Sequence, residues 1–312
     1  MKAVVYEKSN LPDHLVFRDV EKPTPADNEV LVRIHAASVN SADSRAIKMG
    51  LIPRRKILGA DIAGQVEAVG KNIRRFSVGD LVLGDISAFG MGGFAQYVAV
   101  PESPLVLKPA GLSFQTAAAL PMAAVTALQG LRNLGRIKPG DKVLIYGAGG
   151  GVGPFAVQLA KYFAAQVTAV CGEKNAEIIK SLGADHVINY HRCDVAKSGQ
   201  RYDLILAVNG SRSLFTYRRL LTSRGICVVV GGSLKQIIKA MALGKLLSIG
   251  NKKLRSLHAK PNAYDLAFVI GLAEEGKLRA VIDRVYPLAR TAEALRYQSE
   301  GHALGKIIIE VV

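Results

Sequence analysis

The chain has 312 residues, 49% of them hydrophobic and 21% charged, and a formal net charge of +16. That apolar share excludes an intrinsically disordered chain and supplies core for two domains of ordinary size. The three cysteines, Cys171, Cys193 and Cys227, are odd in number and lack metal-ligand spacing, so they read as reduced, buried thiols rather than a disulfide framework or a C-x-x-C metal site.

The opening segment MKAVVYEKS has no long apolar stretch and no small-residue cleavage site, so it reads as a strand and not as a signal peptide. No run of 18 apolar residues occurs, so no spanning helix is expected, and a cytoplasmic location is. Residues 1 to about 120 then read as short strands, KAVVYE, EVLVRIHAASVN, IAGQVEAVG, DLVLGDI and FAQYVAV, punctuated by Gly59, Gly64, Gly70, Gly79, Gly84 and Gly90. This pattern predicts a compact antiparallel, barrel-like domain. The Ala- and Leu-rich LSFQTAAALPMAAVTALQGLRNLG is helical in pattern, with Pro121 as a break.

From Lys142 strands and helices alternate. KVLIY, QVTAV, HVINY, YDLILAV and GICVVV are apolar strands; the run to about Tyr162, NAEIIKSLG and SLFTYRRLLTS are helices, and Gly183 stops the second of these. Near-continuous apolar strands between amphipathic helices predict a parallel sheet covered on both faces. KKLRSLHA is a candidate edge strand. After the helix NAYDLAFVIGLAEEG, the tail AVIDRVYPL…GKIIIEVV returns to strand character and is expected to rejoin the first domain.

Five glycines fall in the seven positions 147–153, where the strand KVLIY hands over to a helix. A helix N-terminus presents unpaired N–H groups and a positive dipole end, and a diphosphate reaches it only where no Cβ intervenes. Gly147 and Gly150 would allow the turn and the approach, Gly153 the packing of the helix, and Pro154 suits a first helical turn. The spacing is G-x-x-G-x-x-G, with Val152 where the G-x-G-x-x-G fingerprint needs glycine; the strand before and helix after carry the assignment. Glu173 lies 20 residues beyond Gly153, where an acid takes a ribose 2′-OH of NAD; Lys174 beside it suits the 2′-phosphate of NADP. The residues alone leave both cofactors open.

The segments ASVNSADSRAIKMG, ILGADIAGQVEAVG, FSVGDLVLGD, GGFAQYVAV, LPMAAVTALQGL, VLIYGAGGGVG, SLGADHVINY and GHALGKIII, in this order, resemble the medium-chain dehydrogenase/reductase superfamily on its zinc-independent side, the quinone oxidoreductases and enone reductases. The resemblance covers nearly the whole chain. It implies an α/β architecture: a GroES-like β-barrel domain from residues 1–122 and 266–312, and a Rossmann doubly wound parallel sheet from 123–265. It further implies that Asn40 lies near the nicotinamide, that Asp43 supports the Asn40 loop, and that Thr126, Gly147, Gly150, Gly151, Val152, Gly153, Asn209, Gly210, Gly231 and Gly232 line the cofactor. Gly172, Lys174 and Tyr190 fall on its adenosine-phosphate side, with Gly172 where relatives often carry Ser.

Zinc-dependent relatives have a Cys in the region of Val39 and a His-Glu pair where this chain has Ala60-Asp61, so no metal is expected; His14 and His35 read as surface or packing residues. The expected reaction is hydride transfer from NADPH, with NADH possible, to a quinone or an α,β-unsaturated carbonyl, a small electrophilic partner. Arg45 occupies the place of a Tyr found in some enoyl reductases, and is read either as an oxyanion stabiliser or as a surface arginine. The alternatives are a zinc-type alcohol dehydrogenase and a nucleic-acid- or membrane-surface-binding protein with the same fold. The second alternative draws on the net charge and the stretch 241–260, although the basic residues are scattered and form no block of five or six. A homodimer is expected, because edge strands find partners.

Overall fold

The computed structural model describes residues 1–7, 15–209, 211–231, 248, 250–301 and 303–312; the readings made for His14, Gly210, Gly232 and most of the loop 233–250 lie outside the described residues. The chain divides into two compact units, residues 1–125 with 260–312, and residues 126–259. The breaks thus fall after Val125 and Ala259 rather than after 122 and 265. Pro121 does break the helical run: it opens the helix α3 (Pro121–Leu128), and the boundary between the units falls within that helix. At the other end Asn262 caps the next helix through its side chain, at 2.9 Å from the Asp265 N–H, so cap and helix travel together with the first unit.

In the first unit, β1 (Lys2–Tyr6) and β2 (Leu15–Asp19) form a two-stranded antiparallel ribbon. The larger sheet uses β3 (Glu29–Val39), β4 (Asp61–Val69), β5 (Leu81–Asp85), β6 (Tyr97–Pro101), β7 (Leu105–Leu107), β14 (Ile282–Pro287) and β15 (Lys306–Glu310). Its order is β14-β15-β3-β4-β5-β7, with β6 also on β3. The returning tail therefore pairs antiparallel with β3, Ile307 opposite Val39 and Ile309 opposite Ala37. One pairing departs from the antiparallel reading: β14 and β15 run parallel, because a helical crossover (Thr291–Glu300) joins them instead of a hairpin. Ile34, Leu58, Ile62, Leu83, Ile86, Phe94 and Leu105 are the large side chains that fill the interior.

The second unit is the parallel sheet. β8 (Lys142–Tyr146), β9 (Gln166–Cys171), β10 (His186–Asn189), β11 (Tyr202–Ala207), β12 (Leu221–Val229) and β13 (Lys253–Ser256) lie in the order β10-β9-β8-β11-β12-β13. Successive strands after β8 run outward to β10, and the chain then crosses back to β11 on the other side of β8. That reversal is the topological switch point at which open α/β sheets bind their ligands, outside the C-terminal ends of the strands. The helices α4 (Gly153–Tyr162), α5 (Ala176–Ser181) and α6 (Leu214–Leu220) make three of the crossovers. Among the described residues no helix is long and apolar enough to cross a membrane.

All three cysteines are free, but only Cys171 and Cys227 are buried. Cys193 is exposed, a correction to the reading of three buried thiols: it sits in the polar turn after β10, outside the apolar strands that bury the other two. His35 stacks on Phe114 with ring centroids 4.2 Å apart, a packing role.

Candidate cofactor and active site

The glycine-rich junction leaves β8 at the switch point. Gly147 has φ +88°, a region L side chains rarely adopt, and a Cβ there would lie 2.8 Å from the Asn209 backbone nitrogen. The turn is therefore wedged against the end of β11, which brings Asn209 to the junction; the Asn209 N–H donates to the Tyr146 carbonyl at 3.3 Å. Gly153 is closed in another way: a Cβ would meet the Ala148 carbonyl oxygen at 2.3 Å, so it permits the junction to fold on itself. Gly150 differs from both. A Cβ built there meets nothing within 4 Å, and it faces open space. Gly151 and Val152 are half-buried beside it, and no side chain caps the N-terminus of α4. An uncapped ten-residue helix behind an open place that a side chain would enter suits the diphosphate of a dinucleotide. Gly231 continues the same edge, its Cβ position 2.6 Å from the Val208 carbonyl. Thr126, first residue of this unit, is buried in α3.

At the end of β9 the structure separates the two residues that left the cofactor open. Glu173 is ion-paired with Arg192, an exposed contact. Lys174 is exposed and makes no bond with any described residue. The Tyr190 hydroxyl lies 3.2 Å from where a Gly172 Cβ would be, and its ring packs against His191 at 4.3 Å. The hydroxyl thus occupies the space a residue-172 side chain would take, and Gly172 makes room for it.

The first unit holds a second, buried polar group. Asn40 follows the last residue of β3 and is the N-cap of the helix α1 (Ser41–Lys48). The Asp43 carboxylate accepts from the Asn40 N–H at 2.8 Å and from the Gly59 N–H at 3.1 Å, which ties the loop to its neighbour. The Asn40 side-chain N–H donates to Asp61 at 2.9 Å, and its oxygen accepts from the Lys306 ammonium at 2.7 Å. Asp61 also accepts from the Ser38 hydroxyl at 2.8 Å and the Met122 N–H at 2.9 Å, and lies 3.4 Å from Lys306. Asp43, Asp61 and Lys306 are essentially without solvent contact. Burial pushes the Asp43 carboxyl up to about 7, against the two backbone bonds that favour its charge. Burial, and then the neighbouring Asp61, raise Asp85 as well. Arg45, on α1, is half-buried; burial lowers its pKa, and no described residue pairs with its guanidinium.

Asp61, Asp85, Lys306 and Arg192 were not read as parts of a site; Asp61 entered the sequence reading only as a residue standing where zinc-dependent relatives carry ligands. The available signal for the first three was charge inside strands that are otherwise apolar: the Asp of ADIAG, the Asp closing LVLGD and the Lys opening KIIIE. Among the described residues no three His, Cys, Asp or Glu side chains group as metal ligands.

Comparison with known proteins agrees with this layout. A family model described as alcohol dehydrogenase GroES-like domain matches residues 26–110, and one described as zinc-binding dehydrogenase matches residues 182–309. The chain is 37% identical over 307 residues to a chloroplast envelope quinone oxidoreductase homolog of Arabidopsis thaliana, covering 93% of this chain and 92% of the relative. It is 32% identical to the mitochondrial NAD(P)H oxidoreductase RTN4IP1 of Bos taurus, covering 91% of this chain and 82% of that one. The solved quinone oxidoreductase of Coxiella burnetii superposes with a TM-score of 0.91 at 29% identity, over 100% of this chain and 99% of that one.

Two measurements check this geometry. Gly150→Val places a branched side chain in the open hollow, so it should keep the wild-type melting temperature and lose at least about tenfold in NADPH affinity by fluorescence titration; unchanged affinity contradicts the assignment of the hollow. Asp43, pushed up to about 7 from 3.8, holds its proton in the folded state where the unfolded chain has released it, and Asp85 is raised in the same direction. The unfolded state then binds fewer protons between about pH 4 and pH 7, so this contribution to stability falls as pH rises through that window. Thermal melts across it should show a flatter decline for Asp85→Asn than for wild type; parallel curves contradict the buried, protonated carboxyl.

Proposed function

The chain belongs to the medium-chain dehydrogenase/reductase superfamily as a quinone oxidoreductase-like, NAD(P)H-dependent oxidoreductase, and from that premise we propose that it reduces quinones or α,β-unsaturated carbonyls with NADPH and without a catalytic zinc. The observation that carries the reading is the open hollow over Gly150 at the uncapped start of α4. When bound, the nicotinamide supplies a hydride, and the protein's contribution is to hold it, shape the surroundings and receive charge.

NADPH is favoured over NADH by the charges at the end of β9. Glu173, the acid that would compete with a 2′-phosphate, is already paired with Arg192, which leaves Lys174 and the Tyr190 hydroxyl to meet the anion. Asn40 is the residue proposed to meet the nicotinamide, with Asp43 holding its loop. Hydride arriving at the β-carbon of an enone moves an electron pair onto the carbonyl oxygen; a quinone becomes a hydroquinone anion in the same way. Arg45 carries the cation proposed to stabilise that oxygen until a solvent proton arrives.

The places at which zinc-dependent relatives carry ligands offer no free donor among the described residues. Val39 and Ala60 are apolar and buried, and the oxygens of Asp61 are taken by Lys306, Asn40, Ser38 and the Met122 N–H. A carbonyl without a Lewis acid must already be electron-poor, which selects quinones and enones over simple aldehydes. The edge strand β13 pairs only with β12 among the described strands, and its other side is the proposed contact between two copies.

An oxidation screen with NADPH and NADH against quinones, enones and simple aldehydes tests the reaction. Turnover should appear with the first two classes and NADPH, and Lys174→Ala should raise KM for NADPH by about tenfold while leaving NADH unaffected. Turnover confined to aldehydes or alcohols, or an equal effect on both nucleotides, contradicts the reading. Light scattering should give twice the 33.3 kDa chain mass; the mass of a single chain contradicts the paired edge.

A further inference from the structure

The first unit gathers three carboxyls, Asp43, Asp61 and Asp85, around one ammonium, Lys306, all within its buried interior. A buried ion pair is weak evidence for stability, since a well-packed apolar pair of similar volume often does as well. What this pair does have is a specific geometric relation to Asn40. The amide of Asn40 lies between its two members: the oxygen takes the Lys306 ammonium at 2.7 Å, and the nitrogen gives to Asp61 at 2.9 Å and to the Ser38 carbonyl at 3.4 Å. Turning the amide over would set its NH2 against an ammonium and its oxygen against a carboxylate, unfavourable at both ends. Two charges of opposite sign therefore select one of two amide orientations, which packing alone distinguishes poorly because oxygen and NH2 have nearly the same size.

We propose that Lys306 and Asp61 are positioning residues: they lock the side-chain amide of Asn40 in one orientation and so set the polar face it presents to the nicotinamide. The inference rests on the reading that Asn40 meets that ring. The backbone supports the same end, since Asp43 fixes the Asn40 N–H and the register of β15 against β3 places Lys306 beside the end of β3, where its ammonium reaches 3.5 Å from the Val39 carbonyl. Neither residue needs to touch the substrate.

Two charge-neutral double variants separate positioning from stability. Lys306→Met with Asp61→Asn removes the donor to the Asn40 oxygen; Lys306→Gln with Asp61→Asn restores a neutral donor in the same place. Both should melt within a few degrees of each other and bind NADPH with similar Kd. The Met variant should lose about tenfold or more in kcat and show a larger isotope effect with C4-deuterated NADPH, and the Gln variant should recover most of both. Equal kcat in the two variants, or a defect seen only in melting temperature, overturns the proposal. If neither variant folds, wild-type protein decides: the Asn40 side-chain amide resonances should shift on titration with NADP+, and unshifted resonances overturn it. A wild-type protein that oxidises NADPH with no quinone or enone removes the proposed function and this inference with it, whereas an active wild type with indifferent variants removes this inference alone.

Discussion

The architecture of the second unit depends on a steric constraint at one strand-to-helix junction. Residues 147–153 must turn sharply, fold back on Ala148 and Asn209, and still leave an empty place in front of α4. Side chains at Gly147 or Gly153 would collide with backbone at 2.8 Å or less, so those glycines are fixed by the protein's own packing. Gly150 has no such duty. A side chain there would enter open space in front of an uncapped helix N-terminus, the place where the diphosphate is proposed to sit. Three glycines in one motif thus stand in different surroundings, two closed in by the protein's own backbone and one open.

The first unit carries a different constraint. Charges buried in an apolar barrel cost several kcal/mol each unless partnered, and removing one member of such a pair costs about 3–5 kcal/mol. Asp61 answers this with four polar partners, Ser38 of β3, Asn40 at the start of α1, the Met122 N–H of α3 and Lys306 of β15, and Lys306 answers it with Asn40 and Asp61. The cluster ties together the ends of β3, β4 and β15, strands far apart in the chain. It also joins the energetics of the barrel to the conformation of Asn40, so the loop that the family resemblance singles out is held by the most polar part of an otherwise apolar interior.

Much of this was legible in the amino-acid order. The parallel sheet shows itself because its central strands carry apolar runs, VLIY, LILA and ICVV among them, and the glycine junction because it sits between such a run and a helix. The return of the tail to the barrel is readable from the strand-like runs AVIDRVYPL and KIIIE, which follow the helix NAYDLAFVIGLAEEG. The buried cluster was not legible, for a physical reason: Lys306 meets Asn40 across 266 residues and Asp61 across 245, and only the pairing of β15 with β3 brings them together. Arg192 was overlooked because its partner Glu173 belongs to the preceding crossover. Cys193 was misjudged because the usual burial of cysteine says nothing about a residue placed in a polar turn. The parallel β14–β15 pair was hidden by the helix between them, which changes strand direction without changing strand composition.

On this reading the bare main chain over Gly150 receives a dinucleotide diphosphate, and a crystal structure of the protein with NADP+ decides it. Diphosphate oxygens should be seated against the backbone N–H groups at Gly150, Gly151 and Val152, with the 2′-phosphate beside Lys174 and Tyr190. A nucleotide bound elsewhere, or the hollow closed by the protein's own atoms when NADP+ is present at saturating concentration, would contradict it.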